Sequence, residues 1–143
     1  MKKISLKLNG GCIDIAYTSE QVSLIGDGFS FEFRQRSITL KNVNNVEVHV
    51  IRSGRKKVIY ARYRGNMLPC RDHGETSREE ISTPLFTARV TRCSLDTYLT
   101  LIFPGTFLID YVVMSRDMVG LVLPGKREIH TEKTGNDVVI YIV

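Results

Sequence analysis

Tryptophan is absent from this chain of 143 residues, glutamine occurs only twice, and long apolar runs are missing. The longest apolar segments, Leu99–Phe103 and Phe107–Met114, are far shorter than the roughly 20 residues of a membrane-spanning helix. Lys7 and Asn9 interrupt the apolar stretch that a signal peptide would need after its N-terminal lysines. We therefore expect no membrane segment and a cytoplasmic, or at least intracellular, location.

Cysteine is also scarce. Cys12, Cys70 and Cys93 form no CxxC pair and lie at no spacing typical of metal ligands. A few scattered cysteines are typical of an intracellular protein, so we expect reduced thiols. A Cys12–Cys93 disulfide is the alternative, because both residues fall in strand-like segments.

Catalytic motifs are missing as well. The chain has no GxSxG, HExxH or P-loop pattern, and its paired glycines lie between strand-like segments without a following helix. We therefore expect no bound metal or cofactor and favour a non-enzymatic protein. Abundant Val and Ile, together with 12 Arg against 8 Lys, favour a thermophilic source.

Apolar and polar residues alternate along most of the chain, which is the pattern of half-buried β-strands. The alternation is clearest at Phe29–Arg34, where three phenylalanines share one face. Turn residues recur about every ten residues, so the sequence predicts an all-β fold of about eleven short strands, either a β-sandwich or a small antiparallel barrel. The best helix candidate is the short segment Thr76–Ile81. The length predicts a single domain over residues 1–143.

The C-terminal segment Val138–Val143 is almost wholly apolar. It is typical either of a strand that is buried on both faces or of an edge strand that pairs with a second subunit. The second interpretation leaves open a homo-oligomer that assembles through this segment.

Basic charge is concentrated in one part of the chain. The stretch from Arg52 to Arg71 contains seven Arg or Lys residues and no Asp or Glu, whereas the rest of the chain holds 13 basic and 15 acidic residues. A local excess of this kind predicts a surface that binds an anionic partner. The basic residues are Arg52, Arg55, Lys56, Lys57, Arg62, Arg64 and Arg71.

Ser53 and Gly54 predict a turn, so the residues on either side are expected to form an antiparallel hairpin. Strand alternation then gives an apolar inward face formed by Val46, Val48, Val50, Ile59, Ala61 and Tyr63. The outward face is expected to carry a row formed by Tyr60, Arg62 and Arg64, with Arg55, Lys56 and Lys57 at the tip. Arg binds phosphate and Tyr offers a stacking plane, a combination that β-proteins use for single-stranded nucleic acid.

Residues from about 66 to 83 predict a long polar loop. Asp72, His73 and Glu75 lie together there, and they are weak candidates for a general base or for metal ligands, with His49 or His130 as a distant ligand. A polar surface loop with local ion pairs is the more ordinary interpretation.

These patterns favour a binding module whose basic hairpin engages an anionic partner, most concretely nucleic acid. The residues expected to bind are Arg52, Arg55, Lys56, Lys57, Tyr60, Arg62, Arg64 and Arg71. One alternative is a homo-oligomeric structural or inhibitor protein that binds an acidic protein surface. A second alternative is a nuclease-like hydrolase that uses Asp72, His73 and Glu75.

Overall fold

The computed structural model of the chain describes residues 1–44, 46–70 and 79–143. These residues form fourteen β-strands and no helix, which confirms the predicted all-β fold and exceeds the expected number of strands. The strands are β1 (Lys2–Leu8), β2 (Gly11–Tyr17), β3 (Gln21–Gly26), β4 (Phe29–Arg34), β5 (Ser37–Lys41), β6 (Glu47–Ser53), β7 (Lys56–Arg62), β8 (Glu80–Ser82), β9 (Thr87–Arg92), β10 (Thr97–Ile102), β11 (Tyr111–Ser115), β12 (Met118–Leu123), β13 (Ile129–Thr134) and β14 (Asp137–Ile142).

The strands form two seven-stranded antiparallel sheets that pack face to face as a sandwich, one of the two architectures expected from the sequence. The first sheet has the order β1-β2-β3-β4-β5-β14-β13, and the second has the order β6-β7-β12-β11-β10-β9-β8. The chain builds β1 to β5 as a meander and then crosses to the second sheet for β6 to β12. It returns with β13 and β14, and β14 pairs with β5.

Alternation along the strands determines which side chains fill the space between the sheets. Phe29, Phe31 and Phe33 on β4 all point inward and are at most 6% exposed, as their spacing predicts. The ring of Phe29 lies 4.4 Å from that of Tyr63, and the ring of Phe33 lies 6.4 Å from that of Phe103. Burying a large apolar side chain contributes about 1.5–3 kcal/mol, so these contacts between β4 and the residues that directly follow β7 and β10 help to hold the two sheets together.

The C-terminal strand has neither of the two surroundings expected from its sequence. β14 pairs with β5 on one side and with β13 on the other, so its predicted edge position is wrong. Val138, Ile140 and Ile142 are buried, whereas Tyr141 is 42% exposed, so the strand is buried on one face only. The homo-oligomer stays a prediction, and it would need an edge other than β14.

The helix candidate Thr76–Ile81 ends inside a strand. Glu80–Ser82 forms β8, which pairs with the start of β9 at the edge of the second sheet. Ile81 is buried among the core residues, and this burial outweighs the local capping pattern. The part of the candidate up to Arg78 lies outside the described residues.

Residues 64–70 leave the second sheet and run against the first. The Cys12 N–H donates to the Leu68 carbonyl at 2.9 Å, and the Asp27 N–H donates to the Asn66 carbonyl at 3.1 Å. Met67 packs closely against Gly11. A Cβ atom on residue 11 would lie 2.7 Å from the Cβ atom of Met67, and only glycine avoids this clash.

This path brings two cysteines together. The Cα atoms of Cys12 and Cys70 are 5.0 Å apart, and the two residues form a disulfide although 58 positions separate them. The expectation of three reduced thiols is therefore wrong, as is the alternative Cys12–Cys93 pairing. Cys93 is free and exposed. The intracellular location stays a prediction.

Replacing both Cys12 and Cys70 with alanine is expected to lower the free energy of unfolding by about 4 kcal/mol, because the disulfide closes a long loop in the unfolded chain. Urea denaturation under oxidising conditions measures this difference. Cys93→Ala is the matched control, and it is expected to change the free energy by less than about 0.5 kcal/mol because Cys93 is exposed. Equal stability of the wild type and the double variant would contradict a disulfide in the folded protein.

Candidate functional site

Strands β6 and β7 form the hairpin that the sequence predicts. Ser53 pairs with Lys56 across a two-residue turn, and Gly54 has a φ of 62°, as the first turn position of a type II′ hairpin requires. Val48 lies opposite Ala61, which confirms that the predicted inward residues of the two strands share a face.

Burial along this inward face is uneven. Ile59, Ala61 and Tyr63 are at most 1% exposed, whereas Val48 is only partly buried and Val50 is 50% exposed. β6 is the edge strand of the second sheet, and the described residues of the first sheet cover its inward face only in part. The expectation that Val50 meets the core is therefore wrong.

The four basic residues at the hairpin tip have different surroundings. Lys56 Nζ lies 3.1 Å from Asp110 Oδ2, and Lys57 is half-buried and donates to the Arg127 carbonyl. Arg52 and Arg55 are exposed and form no ion pair with the described part of the chain. Within the described residues, two of the four cations therefore lack an ion-pair partner, while the other two already have partners.

A groove runs across the outward face of the second sheet, next to the hairpin. It has a volume of about 210 Å³ and draws its walls from four adjacent strands, β7, β12, β11 and β10. Three tyrosines from three different strands open on it, with aliphatic side chains between them. The lining residues include Tyr60, Tyr98, Tyr111, Val58, Val113, Met118 and Val122.

Gly120 forms part of the groove floor. It lies between Tyr60 on β7 and Val113 on β11 in the register of the sheet. A Cβ atom at position 120 would lie 3.3 Å from the Tyr60 ring, so this ring rests directly on the glycine. An aromatic ring that covers a glycine on the neighbouring strand also supports the sheet, and Tyr60 therefore has a structural role in addition to lining the groove.

A cation lies beyond each end of the groove. Lys56 Nζ is 6.0 Å from the centroid of the Tyr111 ring, and Arg62 faces outward two residues beyond Tyr60. Glu47 pairs with Arg62 in the register and lies 3.4 Å from His49 Nε2. An exposed ion pair such as that of Lys56 with Asp110 contributes only about 0–1 kcal/mol to stability.

Arg64 does not continue the row of Tyr60 and Arg62 along the strand. β7 ends at Arg62, and the Tyr63 N–H donates to the Asp117 carbonyl at 3.0 Å. Arg64 instead borders a separate depression of about 170 Å³ together with Asp27 and Asn42 from the first sheet and its turns. The structure therefore brings Tyr60 and Arg62 to the groove and leaves Arg64 apart from it.

Tyr63 points into the core behind this depression. Its side chain is 1% exposed, and its hydroxyl has no hydrogen-bond partner within residues 1–44, 46–70 and 79–143. Burial raises the pKa of Tyr63 well above its usual value, and the Asp117 carboxylate adds to the rise. The hydroxyl therefore stays protonated. Its desolvation without a hydrogen-bond partner lowers the free energy of unfolding.

The hydrolase hypothesis depends on three residues of the predicted polar loop. Asp72, His73 and Glu75 lie outside the described residues, as does Arg71 of the basic segment, so this hypothesis stays a prediction. The proposed distant ligands, His49 and His130, lie in different sheets. No group of three His, Cys, Asp or Glu residues in the described part of the chain could hold a metal ion.

Sequence reasoning missed Tyr98, Tyr111 and Gly120. Both tyrosines alternate with inward residues of their strands, so their outward direction was predictable. Their position in one groove with Tyr60 was not predictable, because it depends on the pairing of β12 with β7. Of the residues predicted to bind, the structure therefore brings Lys56, Tyr60 and Arg62 to the groove.

Comparisons with protein-family models, with curated proteins and with solved structures find no match to this chain. No helix in the described part of the chain is long and apolar enough to cross a membrane. The function is therefore inferred from the groove and the hairpin.

Replacing both Arg62 and Arg64 with glutamate is expected to change the free energy of unfolding by less than about 1 kcal/mol, because both side chains are exposed. Ile59→Asp is the matched inward change, and it is expected to unfold the domain by burying an unpaired carboxylate. Thermal melts followed by circular dichroism compare the two proteins. Unfolding of the arginine variant with a folded Ile59→Asp variant would contradict the face assignment.

Tyr63→Phe is expected to raise the free energy of unfolding by about 1 kcal/mol at neutral pH, because it removes a buried hydroxyl without a partner. Above about pH 10 an unfolded tyrosine ionises while the buried one stays protonated, so the wild type loses stability as the pH rises. The advantage of Tyr63→Phe should then grow by up to about 1.4 kcal/mol per pH unit. Urea titrations at pH 8 and above measure this growth, and a constant difference would contradict it.

Proposed function

We propose that the protein is a non-enzymatic module that binds single-stranded nucleic acid on the outward face of the second sheet. The observation that supports this proposal is the groove with Tyr60, Tyr98 and Tyr111, which has Lys56 and Arg62 beyond its ends. Flat aromatic surfaces next to cations suit a ligand that alternates flat bases with phosphates.

The size of the groove favours bases over a larger ligand. Its volume of about 210 Å³ is below the range of roughly 300–1,000 Å³ that is typical of sites for drug-sized molecules. Tyr98 and Tyr111 come from adjacent strands and offer ring surfaces to bases that lie across the sheet. Stacking of one base on an aromatic side chain is worth about 1–3 kcal/mol.

The hairpin supplies the charge for the phosphates. Arg55 in the hairpin turn is exposed without a partner in the described residues, and Arg62 and Lys56 lie beside the groove, whereas Arg52 shares the inward face of β6 with Val50. A strand that crosses the groove would pass from Arg62 toward the tip of the hairpin. Three phosphate contacts to a single strand predict a log–log salt slope of roughly −2.

Single strands are the preferred ligand because their bases are accessible. In a duplex the base faces are stacked on one another, and a shallow groove on a flat sheet cannot reach them. Single-stranded segments present unstacked bases that aromatic side chains can cover. We therefore expect weaker binding to duplexes than to single strands of the same length.

Fluorescence anisotropy with labelled single-stranded DNA, single-stranded RNA and duplex DNA, from low to moderate salt, tests the proposal. Tyr98→Ala and Tyr111→Ala are each expected to weaken binding about 5- to 150-fold, the equivalent of about 1–3 kcal/mol of stacking. Tyr141→Ala is the matched control, because Tyr141 is an exposed tyrosine on the first sheet, and it should bind like the wild type.

Charge reversal tests the contribution of the hairpin. Arg62→Glu should weaken binding strongly, whereas Arg36→Glu should change it little, because Arg36 is an exposed arginine in the turn between β4 and β5 of the first sheet. Absence of binding at low salt would overturn the proposal. Binding that resists both tyrosine replacements and is displaced equally by polyglutamate would instead support an acidic protein surface as the partner.

A further inference from the structure

Strand β6 is an exposed edge that carries no Lys, Arg, Asp or Glu between Glu47 and Arg52. All its residues except Val48 are exposed, including Val50 at 50% and Ile51 at 51%, and no described strand pairs with its outer side. The other edges are protected. β1 carries three lysines, β8 has only three residues, and β13 carries Glu132 and Lys133. Charges and short edge strands are the devices that prevent strand pairing between molecules, and the centre of β6 lacks them.

The hairpin geometry determines which backbone groups β6 offers. Ser53 and Lys56 close a two-residue turn and exchange backbone hydrogen bonds, and bonded and non-bonded pairs alternate along an antiparallel ladder. Val48, Val50 and Arg52 therefore direct their N–H and C=O groups away from β7. Three consecutive alternate residues with free donors and acceptors form an edge that can accept another strand.

The charges along this edge complement those of a second β6 strand only when the two strands are antiparallel. β6 begins with Glu47 and ends beside Arg52 and Arg55. In an antiparallel pair of β6 strands, the acidic end of each lies next to the basic end of the other. A parallel pair would instead place like charges side by side, which is unfavourable.

We propose that two copies of the chain associate through antiparallel pairing of β6 with β6, with Val50 on the two-fold axis. In this register all seven residues of β6 pair with the second copy. A two-fold axis at any other residue would leave fewer residues paired. Val48 then lies opposite Arg52 of the second copy, and Glu47 lies opposite Ser53 of the second copy. The surface that meets itself is identical in both copies, which is the commonest form of homodimer interface.

The dimer does not depend on nucleic-acid binding, so it is measured without nucleic acid. Sedimentation equilibrium from low to high micromolar concentration should give a mass that rises from 16.2 kDa toward twice that value. Val50→Lys should weaken dimerisation at least tenfold because it places two like charges at the axis. Thr131→Lys adds the same charge to the exposed edge strand β13 and should leave the dimer unchanged.

Cysteine cross-linking tests the register and remains informative if Val50→Lys fails to fold. In a Cys93→Ala background, Val50→Cys should form a disulfide-linked dimer, because Cα atoms directly opposite each other are about 5.5 Å apart in a hydrogen-bonded pair. Ile51→Cys is the matched control, since its two copies are offset along the strands beyond the roughly 7 Å that a disulfide spans. A monomer at all concentrations, or cross-linking at Ile51 without cross-linking at Val50, would overturn the proposal.

Discussion

The apolar interior between the two sheets is the constraint on which every surface of this protein depends. Each strand alternates, so placing Phe31, Ile59 or Leu121 in the interior sends their neighbours outward. A slip of one residue in any strand would bury polar side chains and expose apolar ones. The interior therefore determines the direction of the outward residues as strictly as that of the buried ones.

The groove is a consequence of this constraint. β7, β12, β11 and β10 use their other residues for the core, and what remains outside is a set of tyrosines, valines and a glycine. Tyr98 and Tyr111 have no part in the interior, whereas Tyr60 also covers Gly120. Replacing Tyr98 or Tyr111 is therefore expected to cost the fold less than replacing Tyr60, which has a structural role.

The edges of the sandwich have contrasting environments. Residues 64–70 and the Cys12–Cys70 disulfide attach the chain that leaves β7 to the first sheet. The opposite side of the same hairpin, β6, has no such cover in the described part of the chain. In the proposed β6 dimer, the two-fold axis is perpendicular to the second sheet, so the grooves of both copies lie on the same side.

Local pattern alone determined the all-β class, the three inward phenylalanines of β4 and the shared faces of the β6–β7 hairpin, because alternation and turn residues act over a few positions. The same local reasoning identified Tyr60, Arg62 and the basic tip. The tertiary structure decided the rest. Tyr98 and Tyr111 line one groove with Tyr60 only because β12 pairs with β7, and Cys70 reaches Cys12 only because residues 64–70 cross to the first sheet. Pairings between distant strands depend on the packing of the whole interior, so a local pattern does not contain them.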